Sequence, residues 1–300
     1  MSTPEFDADS TLGALLIGTL VSFSLFGLTS SQTYAYWSRF PNDSWRLKSV
    51  VGVVWCAEFS HTICIGMALY FMLITNYGHP ERLLILPDSL LAAAFLGSLV
   101  ALVVQVFFSL RIYALSKSLY IPIICWGLSA FRFLPPNIIL FMYRHRPATD
   151  FLGKFNRLFD AIWAASAAND ILISGTCVAL LYSRRHQGQG STVAMVDKLI
   201  AWTIETGVVT SIASIILLIF FVKLPTTFAW LALFVVIPRL FSNSILASLN
   251  SRATLRSGLQ QPRSTHSSGN PAITATIPRP MNATNLSIEM NKMVITHYDD

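Results

Sequence analysis

Long apolar blocks dominate this 300-residue sequence and constrain its fold more than any other feature. Each block is about 20 residues or longer, which is the length that a helix needs to cross the hydrocarbon core of a bilayer. Charged residues make up only 12% of the chain and the mean hydropathy is +0.56, whereas a soluble domain carries about twice that share of charge. The sequence therefore predicts an all-α polytopic membrane protein.

Seven blocks meet this requirement, and together they predict one seven-helix transmembrane domain over residues 11–250. A short acidic N-terminus (residues 1–10) precedes it. Residues 251–300 follow, rich in Ser, Thr and Pro, and are expected to form a disordered tail. The predicted spans are Thr11–Trp37, Ser49–Thr75, Ser89–Tyr113, Leu119–Tyr143, Phe159–Ser183, Leu199–Val222 and Thr226–Leu249.

The distribution of Lys and Arg predicts the orientation of this bundle. The loops after spans one, three and five and the start of the tail hold ten Lys and Arg, whereas the loops after spans two and six hold one each. Positively charged loops stay on the cytoplasmic side. We therefore expect the N-terminus outside and the tail in the cytoplasm, in a protein of the plasma membrane whose tail offers a site for a cytoplasmic partner.

The fourth block departs from this pattern. Arg132 lies in its middle, and Pro135 and Pro136 follow, a pair that is expected to kink or break a helix. The loop after the block carries four basic residues, although the seven-span topology puts that loop outside. A six-span alternative, in which this segment is re-entrant or interfacial, therefore stays open.

Polar side chains inside the spans are the candidate functional residues, because ionisable groups at this depth usually face the bundle interior and pair with one another. Their similar depth predicts one internal network that fixes helix packing, lines a ligand pocket or activation switch, or forms an ion or proton path. Arg239 is the expected centre, with Asp170 as its ion-pair partner, because a guanidinium can bridge carboxylates. The predicted members are Glu58, His61, Gln105, Asn169, Asp170, Glu205, Arg239 and Asn243.

No cofactor and no metal are predicted. Glu58-x-x-His61 has the spacing of a metal-ligand pair on a bundle helix, but His61 is the one histidine within a span, so we interpret the two residues as a polar pair on one face. The lysines lie in loops, at span ends or in the tail, which leaves none for a retinal Schiff base. The net charge of +6 resides mostly in loops, so the expected partner is the lipid bilayer and not nucleic acid.

Several polar segments, taken in order, carry a family resemblance. They are "QTYAYWSRFPNDSWRLK", "WCAEFSH", "NYG", "VQVFFSLRIYALS", "ANDILI", "ETGVVTSIAS" and "FSNSILASLNSR". From about Leu12 to Arg252 the chain resembles the domain of unknown function 6534 family, the seven-pass membrane proteins of mushroom-forming fungi. The resemblance implies a seven-helix membrane protein with no assigned activity and no known ligand. The matching positions include Glu58, His61, Gln105, Asp170, Gly207, Asn243, Ser244 and Asn250.

Three function classes follow from the sequence. The expected outer N-terminus, the odd number of spans and the Ser/Thr-rich tail favour a receptor-like or sensor-like protein with an unknown ligand. Coupling to a G protein has no support, because "SLRIYAL" stands at the end of span three in place of an Asp-Arg-Tyr-like triplet. A small-solute transporter is the alternative, although no internal repeat is evident. A membrane-embedded lipid-modifying enzyme is less favoured, because one intramembrane histidine is too few.

Overall fold

The structure is a computed structural model, and it describes residues 9–79, 82–83, 85–185, 190–224 and 227–260. Within these ranges the chain is helical and contains no β-strand. Seven helices are long and apolar enough to cross a membrane, which confirms the predicted all-α bundle and its seven spans. The helices are α1 (Ala14–Arg39), α2 (Trp45–Tyr70), α3 (Asp88–Ser116), α4 (Tyr120–Met142), α5 (Ala148–Arg185), α6 (Gly190–Lys223) and α7 (Ala229–Gln260).

The helix α4 is long and apolar enough to be the fourth of the seven spans, which favours the seven-span topology over the six-span alternative. It is continuous from Tyr120 to Met142 and contains both Pro135 and Pro136. A proline removes one backbone donor but has the φ angle of a helix, so the cost is lost hydrogen bonds rather than a forced end. Directly after the prolines, the side-chain Nδ2 of Asn137 donates to the carbonyl of Phe133 and supports this turn.

Several helices extend past the predicted spans. α5 begins at Ala148 and α6 at Gly190, whereas the apolar blocks begin at Phe159 and Leu199. The predicted boundary between the bundle and the tail falls inside α7, which continues to Gln260. Residues 1–8 and 261–300, which hold most of the predicted N-terminus and tail, lie outside the described residues.

The bundle has two ends that can be told apart by their contacts. At the end where α1 begins, the backbone N–H of Phe228 donates to the carbonyl of Ser10 over 3.3 Å. At the opposite end, Arg252 Nη2 of α7 lies 2.6 Å from Asp43 Oδ2 in the loop between α1 and α2. We call these the amino end and the carboxyl end of the bundle.

The helices α1 and α7 run parallel and pack closely along their length. A Cβ atom added at Gly18 would lie 2.7 Å from the Cα of Ala232, so only glycine allows this approach. Farther along, Asn243 Nδ2 donates to the carbonyl of Leu25 at 3.3 Å, and Asn250 Nδ2 donates to that of Gln32 at 2.8 Å. Small residues and amide side chains thus replace the hydrophobic effect, which does not drive helix association in lipid.

The centre of the bundle is formed by α3 and α7. α3 packs against α2, α4, α5 and α7, and α7 packs against α1, α2, α3 and α6. The polar residues that the sequence singled out therefore lie around these two helices.

Candidate functional site

The side chain of Arg239 in α7 is fully buried and is the centre of a hydrogen-bonded cluster. A guanidinium has five N–H donors, and five acceptors surround this one. Nε donates to Ser22 Oγ at 3.0 Å, and Nη1 donates to Glu58 Oε2 and to the Glu58 carbonyl. Nη2 contacts His61 Nδ1 at 2.9 Å and Thr62 Oγ1 at 2.8 Å. We call these five residues the Arg239 cluster; it joins α1, α2 and α7.

The cluster assigns roles to Glu58 and His61. Their side chains are completely buried, and the carboxylate of Glu58 balances the charge of Arg239. Because His61 Nδ1 accepts from the guanidinium, its proton lies on Nε2 in a neutral ring. Nε2 lies beside α3, 3.3 Å from where a Cβ at Gly97 would be.

The Glu58-x-x-His61 spacing thus serves a guanidinium. Among the described residues no three His, Cys, Asp or Glu side chains come together as a metal-binding group.

The predicted ion pair between Asp170 and Arg239 was wrong. Asp170 lies on α5, where Gln105 Nε2 of α3 donates to its Oδ1 at 2.9 Å. Ser214 of α6 approaches the same carboxylate, and the cationic charge that acts on it is that of Arg132 of α4. The polar residues therefore form two clusters rather than one, and Asp170, Gln105 and Ser214 make up the second, the Asp170 cluster.

The remaining predicted members have different positions. Asn169 is buried beside Asp170 and donates from Nδ2 to Ser129 Oγ of α4 at 3.0 Å. Asn243 is partly buried and donates to the carbonyl of Arg239 at 2.8 Å, which places it at the edge of the Arg239 cluster. Glu205 is exposed near the first turn of the sixth span and belongs to neither cluster.

Sequence reasoning missed the hydroxyl groups that complete the Arg239 cluster. Thr62 had a usable signal, because it lies four residues after Glu58 and so shares its helical face. Ser22 had none, since 217 positions separate it from Arg239. Arg132 was one of two guanidiniums expected at the depth of the internal network, but it was not singled out as a site residue.

A large cavity of about 560 Å³ occupies the amino half of the bundle. It extends from Arg132 and Pro238 at mid-depth to Leu86 and Thr149 near the amino end. Leucine, phenylalanine and other apolar side chains form most of its wall, and Arg132 is the one charged residue among the described residues that line it. Its polar lining otherwise consists of Ser98, Asn137 and Thr149, together with two tryptophans, Trp163 and Trp230.

A small cavity of about 30 Å³ lies in the carboxyl half, beside the Asp170 cluster. That volume holds one or two water molecules. Its wall is polar on several sides and includes Gln105, Asp170, Ser174, Thr203, Thr210 and Ser244.

The two cavities meet at a pair of side chains. Arg132 lines the large cavity and Phe241 lines the small one. The guanidinium carbon of Arg132 lies 4.8 Å from the centre of the Phe241 ring, which is a cation–π distance. This contact therefore links a wall residue of one cavity to a wall residue of the other.

The model of a family of unknown function (DUF6534) matches residues 166–254. This segment of the chain is similar to the DUF6534 family. The match covers α6, about half of α5 and the spanning part of α7, and it contains Asp170 and Arg239. The match does not reach the first four helices, which hold Glu58, His61 and Gln105. No curated protein and no solved structure matches the chain.

Proposed function

We propose that this protein is a receptor-like or sensor-like membrane protein that binds a small lipophilic ligand in the large cavity. The cavity itself is the observation that carries the proposal. It offers about 560 Å³ between apolar walls with a few polar groups. Small molecules bind in pockets of about 300–1,000 Å³ with this kind of lining.

The position of the cavity beside the Arg239 cluster supports a sensing role. Pro238 lines the cavity and is the residue directly before Arg239, and Gly97, which also lines it, lies against both Pro238 and His61. A ligand that displaces either wall residue acts on a buried network that joins α1, α2 and α7. From there α7 leads to Arg252, which is paired with the loop between α1 and α2 at the carboxyl end.

We propose that the amino end faces outward, which the Lys and Arg distribution along the chain supports, and that the membrane is the plasma membrane, as a receptor-like role requires. In this orientation the large cavity faces the cell exterior. The carboxyl end and the Ser/Thr-rich tail then face cytoplasmic partners.

A small-solute transporter is the second candidate, and one observation favours it. A large and a small cavity lie on opposite sides of the Arg132–Phe241 contact. A transporter would open this contact so that its substrate passes from one cavity to the other, whereas a receptor keeps it closed.

Cysteine accessibility distinguishes the two functions. In a background without the four native cysteines, Ala94→Cys places a thiol in the large cavity, and Ser244→Cys places one in the small cavity. Phe95→Cys is the matched control, because Phe95 lies at the same depth on the exposed face of α3. A thiol reagent that cannot cross the membrane is applied to intact cells and, separately, to inverted vesicles.

The receptor proposal expects Ala94→Cys to react in intact cells, with Phe95→Cys and Ser244→Cys unreactive from both sides, because a thiol reacts only where water can ionise it. Reaction of Ser244→Cys in inverted vesicles, together with protection of Ala94→Cys, would favour the transporter. Reaction of Ala94→Cys no faster than that of Phe95→Cys would contradict a ligand cavity open to the outside.

A further inference from the structure

Two buried donors on the wall of the large cavity lack an acceptor. They are Nη1 of Arg132 on α4 and Nε1 of Trp163 on α5. Both side chains are more than nine-tenths buried. Guanidinium and indole N–H groups can only donate hydrogen bonds, and a buried donor without an acceptor destabilises the structure. A ligand in this cavity would therefore have to supply hydrogen-bond acceptor atoms.

The charge of the cavity points in the same direction. Arg132 is the one charged group among the described residues that line it. The carboxylate whose charge acts on Arg132 is that of Asp170. Asp170 accepts a hydrogen bond from Gln105, however, and it lines the small cavity and not the large one. The face of the guanidinium rests on Phe241, and this contact supplies no acceptor to Nη1. Asp170 acts on Arg132 through its charge but accepts no hydrogen bond from Nη1, so a ligand carboxylate would give this buried donor an ionised acceptor.

The apolar part of the cavity wall indicates what the rest of the ligand consists of. Leucines and aromatic rings line the cavity from Arg132 to the amino end, including Leu90, Leu140, Phe159 and Phe234. Such a wall binds hydrocarbon by the hydrophobic effect.

We infer that the large cavity binds a single-chain amphiphile with a carboxylate head, and that Arg132 binds this head. The inference rests on the proposed ligand-binding function and adds the chemical class of the ligand. A carboxylate matches the planar guanidinium and presents two acceptor oxygens, and the hydrocarbon chain lies against the apolar wall.

The test is a competition experiment on the full-length protein, immobilised in detergent at about pH 8, where a carboxylic acid is ionised. Radiolabelled dodecanoate is the probe, and the competitors are unlabelled dodecanoate, dodecanol and dodecylamine, which share one chain and differ in the head. We expect dodecanoate to displace the probe at a concentration at least tenfold below that of the other two, since hydrogen bonds to charged groups are the stronger ones.

Three variants assign the effect to residues. Arg132→Gln keeps donor groups but removes the charge, and it should abolish the preference for the acid over the alcohol; Arg132→Lys should retain part of it. Since the preference is a ratio within one variant, a lower folded fraction does not alter it. Ala94→Phe fills the cavity and should weaken all competitors, whereas Ala92→Phe on the exposed face of the same helix should not.

Each contrary outcome has a separate meaning. Equal displacement by dodecanol and dodecanoate, or an acid preference that survives Arg132→Gln, would overturn the carboxylate assignment and leave a lipophilic cavity in place. No saturable binding by any competitor, with Ala94→Phe indistinguishable from Ala92→Phe, would overturn the proposed function itself. Complete competition by phosphatidylglycerol, in nanodiscs compared with phosphatidylcholine alone, would assign the site to a bilayer lipid and overturn the single-chain acid.

Discussion

The guanidinium of Arg132 lies 4.8 Å from the ring of Phe241, and the two side chains face different cavities. One aromatic ring from α7 therefore lies between a wall residue of an apolar space and a polar space. Arg132 is held in this position by the ring and by the charge of Asp170.

Removal of the ring should join the two cavities. In the cysteine-free background with Ser244→Cys, we expect Phe241→Ala to make the thiol reactive from the amino side, because the space vacated by the ring connects it to the large cavity. Phe241→Leu keeps most of the bulk and should leave Ser244→Cys unreactive. Equal reactivity in both variants would show that Phe241 does not separate the cavities.

The Arg239–Glu58 pair should be essential to stability. Arg239→Met leaves the carboxylate of Glu58 buried without its partner, and the loss of one member of a buried pair costs about 3–5 kcal/mol. The double variant Arg239→Met with Glu58→Leu removes both charges and should recover most of this loss. Thermal unfolding of the solubilised full-length protein measures both effects.

The same experiment separates this pairing from the one that the sequence predicted. Asp170→Asn should not rescue Arg239→Met, because Asp170 belongs to the other cluster. Rescue by Asp170→Asn, with none by Glu58→Leu, would restore the predicted pair of Asp170 with Arg239.

The contribution of Asp170 to the stability of the protein should come more from its hydrogen bond with Gln105 than from its negative charge. Asp170→Asn keeps an oxygen to accept from Gln105 Nε2, whereas Asp170→Leu leaves that buried donor unsatisfied at a cost of about 1–3 kcal/mol. We therefore expect a lower unfolding midpoint for Asp170→Leu than for Asp170→Asn, and partial recovery when Gln105→Leu is added. If Asp170→Asn lowered the unfolding midpoint as much as Asp170→Leu does, the charge of Asp170, and not its hydrogen bond, would be the source of its contribution to stability.

Two glycines of α1 offer a matched test of the contact with α7. Gly18→Ala should destabilise the bundle, because the new Cβ would meet backbone atoms of Ala232 at 2.7 and 2.8 Å. A Cβ at Gly27 would have no neighbour within 4 Å, so Gly27→Ala should be neutral or stabilise by up to about 1 kcal/mol through helix propensity. Equal unfolding midpoints for the two variants would contradict this packing.

The fold was predictable because it depends on a local property. The length and apolarity of each block determine whether it spans a bilayer, and all seven spans could be read in this way. The first turns of α5 and α6 were missed because they extend beyond the apolar blocks, where a polar helix and a loop have similar compositions. α4 was doubted because Pro135 and Pro136 weaken a helix locally, while its continuity also depends on the surrounding packing.

The site was predictable only as a set of residues. Burial of Arg239, Glu58 and His61 follows from the cost of a charge in lipid, and the structure buries all three. Which of these polar side chains contact one another depends on which helices are neighbours in the bundle, and the sequence does not give that arrangement directly. From their comparable depth in the membrane, Asp170 and Glu58 could each have been the partner of Arg239. In the structure, Asp170 contacts Gln105 of α3, and Glu58 contacts Arg239 of α7.

The most direct measurement of the central claim is native mass spectrometry of the full-length protein purified in mild detergent. We expect a fraction of the wild-type protein to retain one small bound molecule, and Ala92→Phe to retain it equally. Ala94→Phe should lose it, because the new ring occupies the large cavity. Retention by Ala94→Phe at the wild-type level, or absence of any bound species after addition of dodecanoate to the wild type, would contradict a ligand in this cavity.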